Sequence, residues 1–221
     1  MKAQKQARTI EQLSFAVGIP YPENSRTKQR GGVMKTTTKT TQKEMEKTEA
    51  QARHLYLMRH GKAAKNKRGN DVLRPMNKRG RKDVKKIGKL LREKHVSPDL
   101  VLCSPAVRTL ETLEKLRKAF DAAEIAFIDG LYMADAAEMM GILRRTANDK
   151  REVLVIGHNP GLRDFLPLVC DTDAGGTDGH NHHVSEGFPT SALACLEIGQ
   201  DWDRLGTAPA RLMNLIYSSD L

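Results

Sequence analysis

The sequence predicts an α/β fold of three layers, α/β/α, on a mostly parallel sheet. Two observations carry this. Short apolar runs at residues 54–58, 100–103, 125–128 and 152–157 read as buried strands, and they alternate with amphipathic stretches of helical period. Two of these runs end on Ser104-Pro105 and on His158-Asn159-Pro160, which is the chemistry of a strand handing over to a helix.

Residues 1–52 are expected to be a disordered basic tail without chemistry, followed by one domain over 53–221. The tail is rich in Lys, Thr, Gln and Glu, and Lys35-Thr36-Thr37-Thr38-Lys39-Thr40-Thr41 has no apolar period. Met34 offers an alternative start. The strand at 54–58 then runs into Arg59-His60-Gly61, and 61–75 reads as a polar loop. A helix over 77–94 puts Val84, Ile87, Leu90 and Leu91 on one face and a dense Lys/Arg face opposite. Pro98-Asp99 precedes the strand at 100–103. Ser104 as N-cap and Pro105 at the first helical position start a second helix, which turns Leu110, Leu113, Leu116 and Phe120 inward. After the strand at 125–128, a helix over 135–147 aligns Ala136, Met140, Leu143 and Ala147. The run Val153-Leu154-Val155-Ile156 is the clearest buried strand. Asn159-Pro160 repeats the cap-plus-proline start, and Leu162, Phe165, Leu166 and Val169 follow the i, i+3, i+4, i+7 template. A Gly/Asp/His loop spans 171–187, and two closing strands are expected at 191–198 and 212–217.

Composition narrows the function classes. The net charge of +10 is unevenly spread: residues 62–94 carry 14 Lys/Arg against 3 Asp/Glu, whereas 95–221 carry 11 against 19. The basic segment lacks interleaved aromatics, so nucleic acid is not the expected partner. A solvated helix face, or a rim that attracts phosphorylated substrates, fits better. Cys103, Cys170 and Cys195 are too few and too scattered for a disulfide framework or a zinc motif, which points to reduced cysteines and a cytoplasmic protein. No apolar run approaches the ~18 residues of a membrane span. The N-terminus lacks the apolar core of a secretory signal, and Glu11 and Glu23 count against a transit peptide. No membrane association is expected.

Parallel sheets bind ligands outside the carboxyl ends of their strands. Arg59-His60 follow the first strand, Ser104 and Arg108 the second, and His158-Asn159 the fourth, so a parallel arrangement brings them to one edge. Each has an ordinary reading as well. Arg59 and His60 could simply end a strand, Arg108 could pair with Glu111 or Glu114 on its own helix, and His158 could be a satisfied core histidine. Together, two histidines and two arginines beside two helix N-termini suit phosphoryl transfer through a phosphohistidine. One imidazole attacks, the other donates to phosphoryl oxygens, and the arginines hold the charge. No paired carboxylates with ligand spacing lie near these ends, so no metal and no cofactor are expected. His180, His182 and His183 read as a mobile polar loop rather than a metal site.

The motifs Met58-Arg59-His60-Gly61-Lys62-Ala63, Arg74-Pro75-Met76-Asn77-Lys78-Arg79-Gly80, Ser104-Pro105-Ala106-Val107-Arg108-Thr109-Leu110-Glu111-Thr112 and Gly157-His158-Asn159-Pro160-Gly161 occur in an order that resembles the histidine phosphatase superfamily, closest to its small SixA-type branch. Leu131-Tyr132-Met133-Ala134 and Phe188-Pro189-Thr190-Ser191-Ala192-Leu193-Ala194 with Trp202 are similar to that branch too. The resemblance covers about residues 54–220. It implies a minimal histidine phosphatase-like core and phosphorylation of His60 within a pocket of Arg59, Arg108 and His158. Gly61, Arg74 and Asn159 would contact the substrate. Met76-Asn77 departs from the branch's usual Leu-Thr. The larger members carry a glutamate general acid on an insertion that has no room here; Asp129, Asp135 and Glu138 are the remaining candidates, and caps or solvated positions suit them better. The expected substrate is a phosphohistidine-carrying protein or a small phosphorylated molecule, hydrolysed by a monomer. The alternatives are a catalytically weak relative that binds phosphorylated partners and, further off, a nucleic-acid-binding protein using 62–94.

Overall fold

The computed structural model describes residues 52–65, 69–120, 122–170 and 187–221. Residues 1–51 of the expected tail and the loop segment with His180, His182 and His183 lie outside them. Among the described residues six strands form one sheet: β1 (Arg53–Arg59), β2 (Leu100–Cys103), β3 (Glu124–Phe127), β4 (Glu152–Gly157), β5 (Leu193–Ile198) and β6 (Arg211–Ile216), in the order β3-β2-β4-β1-β5-β6. The pairs β2·β3, β2·β4 and β1·β4 are parallel, and β5 and β6 add antiparallel at the far edge.

Helices α1 (Lys78–Glu93) and α2 (Val107–Leu116) cover one face, and α3 (Ala136–Leu143) and α4 (Gly161–Val169) cover the other. The pleat decides which residue meets which layer. Leu55, Leu57, Val153 and Val155 pack with Leu162 and Phe165 of α4. Tyr56, Met58, Leu154 and Ile156 pack with Val84 and Ile87 of α1. Covered on both sides, β1 and β4 read as continuous apolar runs rather than alternating ones.

Several element starts differ from expectation, each for a local reason. Ser104 does not cap α2. The helix begins at Val107 with Ala106 as an extended N-cap, because the Ser104 hydroxyl is bonded to His158 and its carbonyl accepts from Thr109 Oγ1 at 2.7 Å. Asn159 does not cap α4 either: Pro160 holds that position, and the Asn159 amide donates to the Phe188 carbonyl at 2.8 Å. Helix α3 stops at Leu143 instead of continuing to 147. Arg144 turns to donate to the Leu205 carbonyl, and Asn148 accepts from the Trp202 backbone. Asp135 and Glu138 form its capping box. Leu110 is only partly buried.

The close seating of α1 depends on glycine. A Cβ at Gly80 would fall inside contact distance of the Lys62 backbone, whereas one at Gly88, two turns on, would find its nearest neighbour at 3.5 Å. Urea unfolding should therefore show opposite signs on one helix. Gly80→Ala should destabilise by about 1–3 kcal/mol through overpacking. Gly88→Ala should be neutral or stabilising by up to about 1 kcal/mol through helix propensity.

Candidate active site

The hydrogen-bond ladder continues past the strand ends and sets the site. His60 N donates to the Gly157 carbonyl at 3.2 Å and Ser104 N to the Ile156 carbonyl at 3.0 Å, so the residues leaving β1, β2 and β4 stand at one level. The sheet order places β4 between β1 and β2, which brings His60, His158 and Arg108 together although about 50 residues separate each from the next. The two imidazole centroids are 5.0 Å apart. Ser191, in a left-handed conformation (φ 65°), turns the chain into β5 and donates its N–H to both Arg59 O and His60 O.

Arg108 ties the two rings. It is 4 % exposed, and its Nε donates to His60 Nε2 at 3.2 Å while Nη2 reaches His158 Nδ1 at 3.1 Å. Because a guanidinium only donates, these contacts fix the tautomers. His60 Nδ1 carries its proton and donates to the Gly61 carbonyl at 2.9 Å, leaving the Nε2 lone pair toward Arg108. His158 is the reverse: Nδ1 accepts from Arg108, and Nε2–H donates to Ser104 Oγ at 2.8 Å.

Burial pushes the His60 pKa down to about 4, and the charges of Arg108, Arg59 and Arg74 add to this despite the opposing Gly61 hydrogen bond. Burial likewise pushes His158 down to about 3, helped by His60 and Arg108. Both rings are neutral at pH 7. Since unfolded histidines protonate near pH 6.5, the pair contributes stability that is fully present above 6.5 and is lost as pH falls through about 4 for His60 and about 3 for His158.

The expected residues fall into place unequally. Arg59, half-buried, donates from Nη1 to the Phe188 carbonyl at 2.7 Å, the same oxygen that Asn159 uses. Arg74 does not touch the histidines and joins the site through Asp71 at 2.6 Å. Gly61 serves packing rather than a turn: its Cβ would collide with Met76 Sδ and lie 2.7 Å from Val84 Cγ2, and its N–H donates to Thr112 Oγ1. Arg108 pairs with neither Glu111 nor Glu114; Glu111 instead takes Arg81 and the Met76 N–H. Asp129 is exposed, outside this network.

Two participants were not anticipated. Asp71, within the polar loop, accepts from Arg108 Nη2 at 2.9 Å, Arg74 Nη1 at 2.6 Å and Tyr132 Oη at 3.0 Å, and its carbonyl accepts from Arg108 Nη1. Although desolvation works to raise it, the hydrogen bonds from Arg74 and Tyr132 and the Arg108 charge hold this carboxyl at about 2. Tyr132 meets His158 edge-on at 5.5 Å and lies under the Arg108 guanidinium at 5.9 Å. A signal for Asp71 existed in its spacing, three residues before Arg74. Nothing in the pattern tied it to Arg108. Among the described residues no group of three His, Cys, Asp or Glu is placed to hold a metal ion, and no helix is long and apolar enough to cross a membrane.

Comparison with known proteins agrees with this geometry. Residues 55–160 match the model of the histidine phosphatase superfamily (branch 1). An uncharacterized protein of Mycobacterium tuberculosis is 32 % identical over 148 residues, covering 66 % of this chain and 89 % of that one. Solved structures that share the fold include two of similar identity. One, from Nakamurella multipartitia and assigned as the phosphohistidine phosphatase SixA, is 29 % identical with a TM-score of 0.65, covering 75 % of this chain and 96 % of its own. The other, with the same assignment in Agrobacterium tumefaciens, is 28 % identical with a TM-score of 0.62, covering 74 % and 97 %.

Removing the Asp71 charge should release Arg108. In Asp71→Asn, kcat/KM for an aryl phosphate should fall about 10- to 100-fold, as expected when a clamp is misplaced by about 1 Å. Stability to urea should fall as well, because a guanidinium only 4 % exposed would lose the one carboxylate bonded to it among the described residues. Unchanged kcat/KM would show that Arg108 holds its place without Asp71.

Proposed function

The chain belongs to the histidine phosphatase superfamily, in its SixA-type branch, and from that premise we propose that it hydrolyses phosphohistidine through a covalent phosphoryl group on His60. The observation that carries the substrate preference is Asp71. It is the one carboxyl bonded into the His60–Arg108–His158 cluster among the described residues, and it is held ionised. The cluster thus combines a neutral nucleophile and an anion clamp with a carboxylate that has no proton to give.

The chain's residues divide the work. His60 Nε2 attacks phosphorus while the bond from phosphorus to the leaving nitrogen breaks. Where the departing ring carries a proton on its other nitrogen, it leaves as neutral imidazole, and no acid has to act at the cleaved bond. An alkyl phosphate has no such route and needs a proton donor. Arg108 lies on the attacking atom and moves its Nε–H to a phosphoryl oxygen as substrate enters. Arg59 supplies a second donor: its Nε–H is buried and unpaired, a state that costs about 1–3 kcal/mol unless an acceptor arrives. Water then attacks the phosphoryl group on His60, releasing phosphate and restoring Nε2. His158 remains neutral, with Nε2–H held by Ser104 Oγ and Nδ1 accepting from Arg108, and so keeps the clamp in place. The two arginines supply the positive charge, so turnover is expected to withstand chelators.

Rapid quench with a labelled phosphodonor should trap an acid-labile, base-stable phosphoryl group, absent in His60→Ala together with turnover. Rates should fall steeply with leaving-group basicity, a phosphohistidine peptide being hydrolysed at least about 1,000-fold faster than its phosphoserine counterpart, which is ~4 kcal/mol of barrier. Comparable rates on both peptides would contradict the preference, and full activity in His60→Ala would contradict the mechanism.

A further inference from the structure

Helix α1 carries its charges where they oppose it. Lys78, Lys82, Lys85, Lys89 and Arg92 are all exposed. At 100° per residue they fall within about 80° of one another around the axis, a stripe ~21 Å long. The buried residues Gly80, Val84, Ile87 and Leu91 take the opposite side. Like charges at i, i+3 and i, i+4 destabilise a helix by about 0.2–0.5 kcal/mol per pair. Cations in the first turn also oppose the macrodipole, and no acidic residue stands there to offset them. Two weak surface pairs, Arg79–Asp83 at 3.6 Å and Lys89–Glu93 at 3.5 Å, give little relief. Among the described residues Lys78, Lys82 and Lys85 have no ion-pair partner.

The stripe starts at the active-site rim. The first turn of α1 is fastened to the segment that directly follows His60. Asn77 N donates to Lys62 O at 2.8 Å, Asn77 Nδ2 donates to Ala63 O at 3.2 Å, and Gly80 lies on the Lys62 backbone. A local rule broken on a helix that leads away from a phosphate clamp points to a ligand of opposite charge.

We propose that this face of α1 is a docking surface for an acidic protein segment, which presents its phosphorylated side chain to His60. The length of the stripe exceeds what a small phosphorylated molecule can span. The face carries no aromatic for base stacking and no apolar stripe for insertion into a lipid surface. An acidic polypeptide matches it in sign and extent, and such a rim contributes mainly to association rate and its salt dependence. The delivery step rests on the proposed hydrolysis of phosphohistidine; the docking step does not.

The test replaces the four lysines together, Lys78→Gln, Lys82→Gln, Lys85→Gln and Lys89→Gln, which keeps helix propensity and removes repulsion. Fluorescence anisotropy at low salt would measure binding of a labelled oligoglutamate, with a short DNA duplex as competitor. Turnover would be measured on phosphoramidate and on two phosphohistidine peptides, one flanked by glutamates and one by glutamines. In the native sequence the glutamate-flanked peptide should have at least about 10-fold higher kcat/KM, and oligoglutamate should bind. The quadruple variant should lose both effects while hydrolysing phosphoramidate at the native rate. Equal oligoglutamate binding by the variant would overturn the docking surface. Displacement of oligoglutamate by the duplex at lower concentration would assign the stripe to nucleic acid instead. If no phosphohistidine substrate turns over, the hydrolysis reading fails while the binding measurement still decides the docking one.

Discussion

Arg108 is a guanidinium with 4 % of its surface exposed, placed between two neutral imidazoles and one carboxylate. A buried charge is tolerable only when its donors are met, and here Nε, Nη1 and Nη2 all find acceptors in His60, His158 and Asp71. That demand spreads outward. It fixes the tautomer of each histidine, because neither ring can present a proton to a donor. It ties Asp71 to the site, and it recruits Tyr132 both as a donor to Asp71 and as an apolar floor beneath the guanidinium. Burial is the main reason both histidine pKa values are depressed, and the same cation adds to it, so the clamp for phosphate also helps keep the nucleophile unprotonated.

The sheet makes this geometry affordable. With β4 between β1 and β2, the parallel register delivers the three chain ends to one level without any contact between residues near in sequence. The antiparallel β5 then returns along β1, and the Phe188 carbonyl just before it holds Arg59 and Asn159 together. The edge of the pocket is thus built from backbone at the start of β5, where side-chain patterns carry no record of it.

This explains what could and could not be seen in the sequence. The alternation of buried runs with amphipathic helices was legible because burial on both faces leaves a strong periodic trace. Parallel strands suffice to put His60, Arg108 and His158 on one edge, whereas their contact also needs β4 between β1 and β2, which no pattern in the chain announces. Ser104 and Asn159 looked like helix caps because the residue types are right for caps. Their side chains were claimed by tertiary partners, His158 and Phe188, and a local rule cannot see such partners. Asp71 was hidden for the same reason: a loop carboxylate acquires meaning only once the fold places Arg108 beside it. The two candidate acids at 135 and 138 show the converse, since their capping box is local and the residue types announce it.

His60 stands neutral at neutral pH, protonated on Nδ1, with an unprotonated Nε2 that accepts from Arg108 until substrate takes that donor. Nitrogen-15 NMR of the histidine rings, assigned by comparison with His60→Gln, tests it directly. The structure predicts a pyrrole-type Nδ1 bonded to the Gly61 carbonyl and a pyridine-type Nε2, unchanged from pH 7 to below pH 5 and titrating only near 4. A ring protonated on Nε2, or one that becomes imidazolium near the ordinary value of about 6.5, would contradict it.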